Sequence, residues 1–222
     1  MRRFDDILAI AAERKGSFGA VLEDIPVPKT PEELAAIPDD RWLSTMAFGI
    51  FPAGMSWKVV ERKWPDIEEA FHGFDVARVA GMSEAWFDEL IADTRIIRSP
   101  PKVRAIRDNA VMIQQVAGEY GGFGKMIADW PSDDFAGLLQ WIKANGSRLG
   151  GATGAYVIRR MGKDGFVPTQ DVVKRLVAEG VIDKAPSSKK AWAAVQDAFN
   201  TWAKESGRSL TEISRVLAQS VD

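Results

Sequence analysis

Leu149-Gly150-Gly151-Ala152-Thr153-Gly154-Ala155-Tyr156 is the stretch on which the reading of this chain turns. It lies between two segments with helical apolar spacing, 133–145 and 152–162, so it joins two helices. Glycines permit positive φ there and let another backbone approach without meeting a Cβ. Such a turn can present consecutive N–H groups at the start of the next helix, a concavity suited to a phosphate. Ordinary helix connections carry the same spacing, and the turn alone does not decide between the two.

The charge around the turn is one-sided. No acidic residue occurs from Phe135 to Lys163, whereas Lys143, Arg148, Arg159, Arg160 and Lys163 are basic. A second basic cluster comprises Arg95, Arg98, Lys102, Arg104 and Arg107. Acid is gathered elsewhere, at Glu32-Glu33, Asp39-Asp40 and Glu68-Glu69. Solvated helix faces account for such runs as readily as phosphate contacts do.

The 222 residues suffice for a full core, as one domain over 1–222 or two intimate lobes. Hydrophobic residues at 46% and charged residues at 27% place the chain among soluble globular proteins. The net charge of −2 counts against a purely electrostatic nucleic-acid binder. Absence of cysteine excludes disulfides, cysteine-held zinc and cysteine-held iron–sulfur clusters, and it fits the reducing cytoplasm. With His72 as the one histidine, a histidine-rich metal centre is excluded too, so neither metal nor cofactor is expected. The start of the chain is amphipathic, unlike a secretion signal, and no apolar run is long enough to span a membrane.

Helical spacing dominates and nothing alternates as a strand, which predicts an all-α protein of many short helices. The expected helices are 4–15, 39–50, 54–63, 83–93, 101–118, 133–145, 152–162, 169–179, 188–205 and 209–219. Ser83, Ser132 and Pro100-Pro101 are start signals, and Ser209-Leu210-Thr211-Glu212 has capping-box spacing. Gly118, Gly146 and Gly180 are the expected stops.

Three further blocks occur in order. They are Ala53-Gly54-Met55-Ser56-Trp57, then Phe71-His72-Gly73-Phe74-Asp75, then Ile96-Ile97-Arg98-Ser99-Pro100-Pro101-Lys102 running on to Asp108-Asn109-Ala110. With Gly151–Tyr156, this order and spacing resembles the bacterial DNA-3-methyladenine glycosylase I family, within the helix-hairpin-helix glycosylases. The resemblance implies a two-lobed all-α fold with its hairpin near 145–163. It implies a single-subunit enzyme that binds duplex DNA containing alkylated bases, flips an alkylated purine such as 3-methyladenine and hydrolyses its bond to the sugar. Trp57 matches the family's tryptophan and becomes the candidate stacking wall, an indole being a broad π surface for a flipped base. Met46, Phe48 and Phe51 lie just before it, placed either to line the same pocket or to belong to the core. Gly151, Thr153, Gly154 and Lys163 are the candidate contacts to the DNA backbone.

An alkylated adenine is already a good leaving group, so such an enzyme needs chiefly a shaped pocket and a carboxylate near the sugar. In related hairpin glycosylases an aspartate opens the helix after the hairpin. Counting back from Arg175 puts Gln170 at that position, with Asp171 one residue on. Asp171 is the candidate catalytic carboxylate, and an aspartate favoured by the helix dipole is the equal alternative. No lysine occupies the place of a lyase nucleophile, so a monofunctional hydrolase is expected.

The chain departs from the family at three places. It lacks the cysteines of the zinc site that joins the family's termini, and the helix bearing Trp192, Phe199 and Trp202 is the expected clamp instead. The family's base-reading glutamate falls at Gly49. The aromatic N-terminal segment is replaced by Gly16-Ser17-Phe18-Gly19-Ala20. The Phe71–Asp75 block reads as a helix end with Asp75 capping the next helix, leaving His72 structural. Two other readings remain open: a DNA-binding module without catalysis, and a protein-interaction domain favoured by the acidic balance and the eight tryptophans.

Overall fold

The computed structural model describes every residue except Met55, the variable position of the Ala-Gly-x-Ser-Trp block. Its α-helices, in chain order, are α1 (Phe4–Lys15), α2 (Phe18–Leu22), α3 (Pro31–Ala35), α4 (Asp39–Ile50), α5 (Trp57–Ala70), α6 (Val76–Ala80) and α7 (Glu84–Ala92). The longest, α8 (Pro100–Tyr120), precedes α9 (Phe123–Asp129), α10 (Phe135–Asn145), α11 (Ala152–Arg160), α12 (Gln170–Ala178), α13 (Lys189–Ser206) and α14 (Leu210–Gln219). No strand occurs among the described residues, and no helix among them is long and apolar enough to cross a membrane.

All ten expected helices are present, and most caps follow the expected chemistry; Ser132 instead opens a 3-10 turn, Ser132–Asp134, ahead of α10, with no side-chain cap bond. Ser83 accepts from the Trp86 N–H, and Ser209 with Glu212 forms a complete capping box on α14. Two boundaries differ. α5 begins at Trp57 and continues through Pro65 to Ala70, because Val60, Trp64 and Ile67 keep one apolar stripe beyond the proline. α8 passes Gly118 and stops at Gly121, whose φ of 80° closes the helix in the left-handed region. Helices α2, α3, α6 and α9 have five to seven residues, too short for a periodic signal.

The chain divides into two compact units: residues 1–29, 130–140 and 162–222, and residues 30–129 and 141–161. In the first unit, Phe135, Phe166, Phe199 and Trp202 are fully buried. Phe166 stacks on Phe199 at 4.2 Å between centroids and meets Phe135 edge-on at 5.1 Å. The two ends of the chain are fastened here by hydrogen bonds and a buried ion pair. Trp202 Nε1 donates to the Arg2 carbonyl at 3.1 Å, and Glu205 accepts from the Phe4 N–H at 3.0 Å. Glu179, its side chain 1% exposed, accepts from the Arg2 N–H at 2.7 Å, from the Arg2 guanidinium at 2.8 Å and from Arg175 at 3.1 Å. Arg175 also reaches Ser220 Oγ at 2.7 Å. α13 thus supplies the clamp through Trp202, with a buried carboxylate between two cations as the second fastening. A zinc ion does not fit this set: arginines flank the one acid, and no group of three or more metal-binding side chains converges among the described residues.

The second unit is organised by α8, which packs against α4, α6, α7 and α9. Phe71 and Phe74 stack at 5.2 Å, Phe74 stacks on Trp64 at 5.7 Å, and Trp64 meets Phe48 edge-on at 4.8 Å. Asp75 caps α6 by accepting from the Arg78 N–H at 2.8 Å, as its place in the block implies. His72, on the turn between α5 and α6, lies against Trp86 at 4.9 Å.

Candidate nucleic-acid interface

The second unit holds two elements that can meet a nucleic acid: the turn before α11 and the aromatic rim ending in Trp57. In the turn, Arg148 and Gly151 take positive φ, 59° and 63°. Gly151, at ψ −136°, occupies a region open essentially to glycine and serves as N-cap with no side-chain hydrogen bond. The first N–H groups of α11 therefore keep their donor capacity. A Cβ at Gly151 would meet nothing within 4 Å, so the approach to these donors is open. Lys143 and Arg148 are exposed beside them. Helix dipole, uncapped donors and two neighbouring cations are the features that an anion-binding turn requires.

The candidate backbone residues divide by role. Gly151 and Thr153 flank the open N-terminus. Gly154 is buried, and a Cβ there would sit 2.4 Å from the Leu149 carbonyl oxygen and 3.0 Å from Ile142 Cγ2. Glycine at 154 thus lets α11 close onto the turn and α10. Lys163 belongs to the other unit, is 6% exposed, and its ammonium is bonded to the Trp130 carbonyl, so the structure gives it an internal partner.

The aromatic candidates divide in the same way. Met46 and Phe51 are fully buried core residues. Phe48 is 7% exposed, and Trp57 is 48% exposed on top of it, with ring centroids 5.4 Å apart and planes tilted by 41°. An indole half in water, backed by a buried ring, is placed to take a stacked base.

Two buried polar residues of α8 fix both elements, and charge reading alone missed them. Lys102 is 8% exposed, and its ammonium donates to the Phe51 carbonyl at 2.8 Å and the Ala53 carbonyl at 2.7 Å. It closes the C-terminal end of α4 and anchors the loop that leads to Trp57. Burial, and secondarily the nearby Arg148 charge, hold its pKa below the ordinary lysine value. Asn109 is fully buried and grips the hairpin turn from both sides, donating to the Ser147 carbonyl at 3.0 Å and accepting from the Ser147 N–H at 2.7 Å. The i, i+7 spacing puts both on one face of α8, about 10 Å apart along the axis. That spacing is the signal the sequence offered. The remaining cations of this cluster are largely engaged: Arg95 pairs with Asp93 and Glu69, Arg107 with Glu84, and Arg104 covers the Phe87 ring.

α11 lies on α4, and Gly49 makes that approach possible. A Cβ at 49 would come within 2.9 Å of Val157 Cγ2 and 3.4 Å of Thr153 Cγ2. Thr45, one turn earlier, donates from Oγ1 to Met161 Sδ at 3.0 Å, and the Arg160 guanidinium sits over the Phe48 ring at 4.2 Å from its centroid. The position that carries an acid in the resembling family is therefore a helix-crossing glycine here.

Asp171 lies in the first unit, in the first turn of α12 after the Thr169 cap. Its side chain is half exposed and 3.5 Å from the Lys174 ammonium.

A family model described as methyladenine glycosylase matches residues 35–166, which include both elements of the candidate interface and end before Asp171. Over 58 residues the chain is 41% identical to DNA-3-methyladenine glycosylase 1 of Escherichia coli strain K12, a match covering 26% of this chain and 31% of that protein. Among solved structures, the 8-oxoguanine DNA glycosylase of Thermotoga maritima shares the fold with a TM-score of 0.57 at 14% identity, covering 97% of this chain and 95% of that one. The 3-methyladenine DNA glycosylase I from Staphylococcus aureus superposes with a TM-score of 0.50 at 21% identity, over 65% of this chain and 84% of that one. These likenesses establish the fold over nearly the whole chain, including the residues beyond the family match.

Proposed function

Since the chain belongs to the methyladenine glycosylase family, we propose that it is a DNA-repair N-glycosylase. It turns a damaged purine out of the duplex and hydrolyses the bond to the sugar, with alkylated purines as the class the family points to. The observation that carries this reading is the pairing on one unit of a half-exposed tryptophan backed by Phe48 with an open, uncapped helix N-terminus. The α11 N–H groups hold a phosphate of the strand, and Trp57 replaces the stacking that the flipped base gives up.

In the chemical step the C1′–N bond breaks and its electron pair leaves with the base. Water adds through oxygen to C1′, giving up a proton, and an abasic site remains. Asp171 is the candidate carboxylate for the positive charge that develops on the sugar. A DNA-binding module without catalysis is the second reading, favoured by Gly49 in the place of an acid. Base release from methylated and from deaminated duplex DNA separates the two. Release that falls at least a hundredfold in Trp57→Ala, and further in Asp171→Asn, supports the enzyme; salt-dependent DNA binding with no release supports the module.

A further inference from the structure

Arg160 is a cation on the aromatic rim, and its guanidinium is stacked but not spent. It lies 4.2 Å from the centroid of Phe48, the ring that also backs Trp57. Among the described residues it has no hydrogen-bond or ion-pair partner. Stacking uses the face of a guanidinium and leaves the N–H fork at its edge free. Gly49 brings α11 onto α4 closely enough to seat this side chain, and it also removes the acid. With glycine at 49, no acid at that position offsets the positive charge that Arg160 brings to the stacking surface.

We propose that Arg160 reads the flipped base, and that the preferred base is a neutral purine with a 6-oxo group, of which hypoxanthine is the simplest damaged case. This rests on the glycosylase reading and specifies its substrate. A 6-oxopurine offers two adjacent acceptors, O6 and N7, which the arginine fork matches with two parallel bonds. The same edge of adenine carries an amino donor and fits the fork poorly. An N3-alkylated adenine nucleotide is cationic and is repelled by the guanidinium.

The charge also bears on the chemistry. A neutral base is a poor leaving group, because the C1′–N9 electron pair makes it an anion as it departs. That negative charge spreads to N7 and O6, beside Arg160, and is stabilised there more than in the ground state. Water supplies hydroxide to C1′ and the proton that returns the released purine to its neutral form. For a cationic base the same arginine works against binding and gains nothing at departure.

The test compares base release from duplexes carrying one deoxyinosine with release of 3-methyladenine from methylated duplex DNA, for wild type, Arg160→Ala and Arg160→Lys. Arg160 is exposed, so both variants should fold, which thermal melting checks. The expected result is a higher kcat/KM on deoxyinosine in wild type. The ratio of the two releases should fall about ten- to hundredfold in Arg160→Ala and part-way in Arg160→Lys, which keeps the charge but loses the fork. Faster release of 3-methyladenine by wild type overturns the proposal. So does an equal slowing of both substrates in Arg160→Ala with a shallower salt dependence, which marks a phosphate contact.

Binding to non-cleavable 2′-fluoro analogues of deoxyinosine and deoxyadenosine is read in parallel. Preference for the inosine analogue that disappears in Arg160→Ala, without release of any base, upholds the role of Arg160 and removes the glycosylase reading. No release and no preference overturns both.

Discussion

Replacing Lys102 with methionine keeps most of the side-chain volume and deletes the ammonium that holds the loop to Trp57. Two charge-assisted bonds disappear, to the carbonyls of Phe51 and Ala53. Bonds of this kind contribute about 1.5–3 kcal/mol each, giving a gross loss of about 3–6 kcal/mol. Part of that is offset. The ammonium is costly to bury and is repelled by Arg148, as its lowered pKa shows, and methionine relieves both costs. The Ala53 carbonyl lies in a part-buried bond and can turn to water, whereas the Phe51 carbonyl sits in a buried one and cannot. The balance is a destabilisation of about 2–3 kcal/mol.

In urea, with an m-value of about 3 kcal/mol/M for a chain of this size, the midpoint should drop by about 0.7–1 M. The loop leading to Trp57 loosens at the same time. Lys102→Met should therefore lower base release per bound DNA more than it lowers DNA affinity, because the hairpin contacts do not depend on Lys102. An unchanged urea midpoint would refute the anchoring role. A midpoint shift with wild-type release would confine Lys102 to stability.

Asn109→Ala removes both bonds to Ser147 and should cost about 2 kcal/mol; native-state proteolysis should then cut near residues 146–151 faster than in wild type, and unchanged cleavage would count against the clamp. Gly49→Ala gains about 1 kcal/mol of helix propensity but overpacks against Val157 by about 1–3 kcal/mol, whereas in a Val157→Ala background the clash is gone. A double-mutant cycle should thus show coupling of about 1–2 kcal/mol, and additivity would mean that α11 does not rest on Gly49. Glu179 has its pKa lowered from 4.5: burial opposes the charge most strongly, but the Arg2 backbone and side chain together with Arg175 outweigh it. A carboxylate with a lowered folded-state pKa contributes stability above its unfolded value, lost as pH falls through the folded one. Unfolding free energy should therefore decline below about pH 4.5 in wild type. Glu179→Gln should start lower and show a flatter acid limb; an identical slope would show that Glu179 does not titrate with folding.

The sequence by itself determined the helices that depend on local chemistry. Apolar residues at three- and four-residue spacing, serine caps, the Ser209–Glu212 box and the proline start of α8 each act within one or two turns, so they are legible without a fold. The Gly-rich turn before α11 was legible for the same reason, whereas the Trp57 block was legible through its resemblance to a known family. What only the tertiary structure decided is which of the flagged residues face water and which face the protein. Met46, Phe51 and Lys163 are chemically able to meet DNA, but long-range packing turns them inward. Lys102 reads as one more surface cation until the carbonyls of Phe51 and Ala53, some fifty residues away in the chain, are brought to its ammonium. Gly49 reads as a lost acid until α11 is laid across α4; it then explains how Arg160 comes to sit on Phe48. Periodicity records which face of a helix is apolar, but the partner that covers that face, and the charge the partner brings, come from residues distant in the chain.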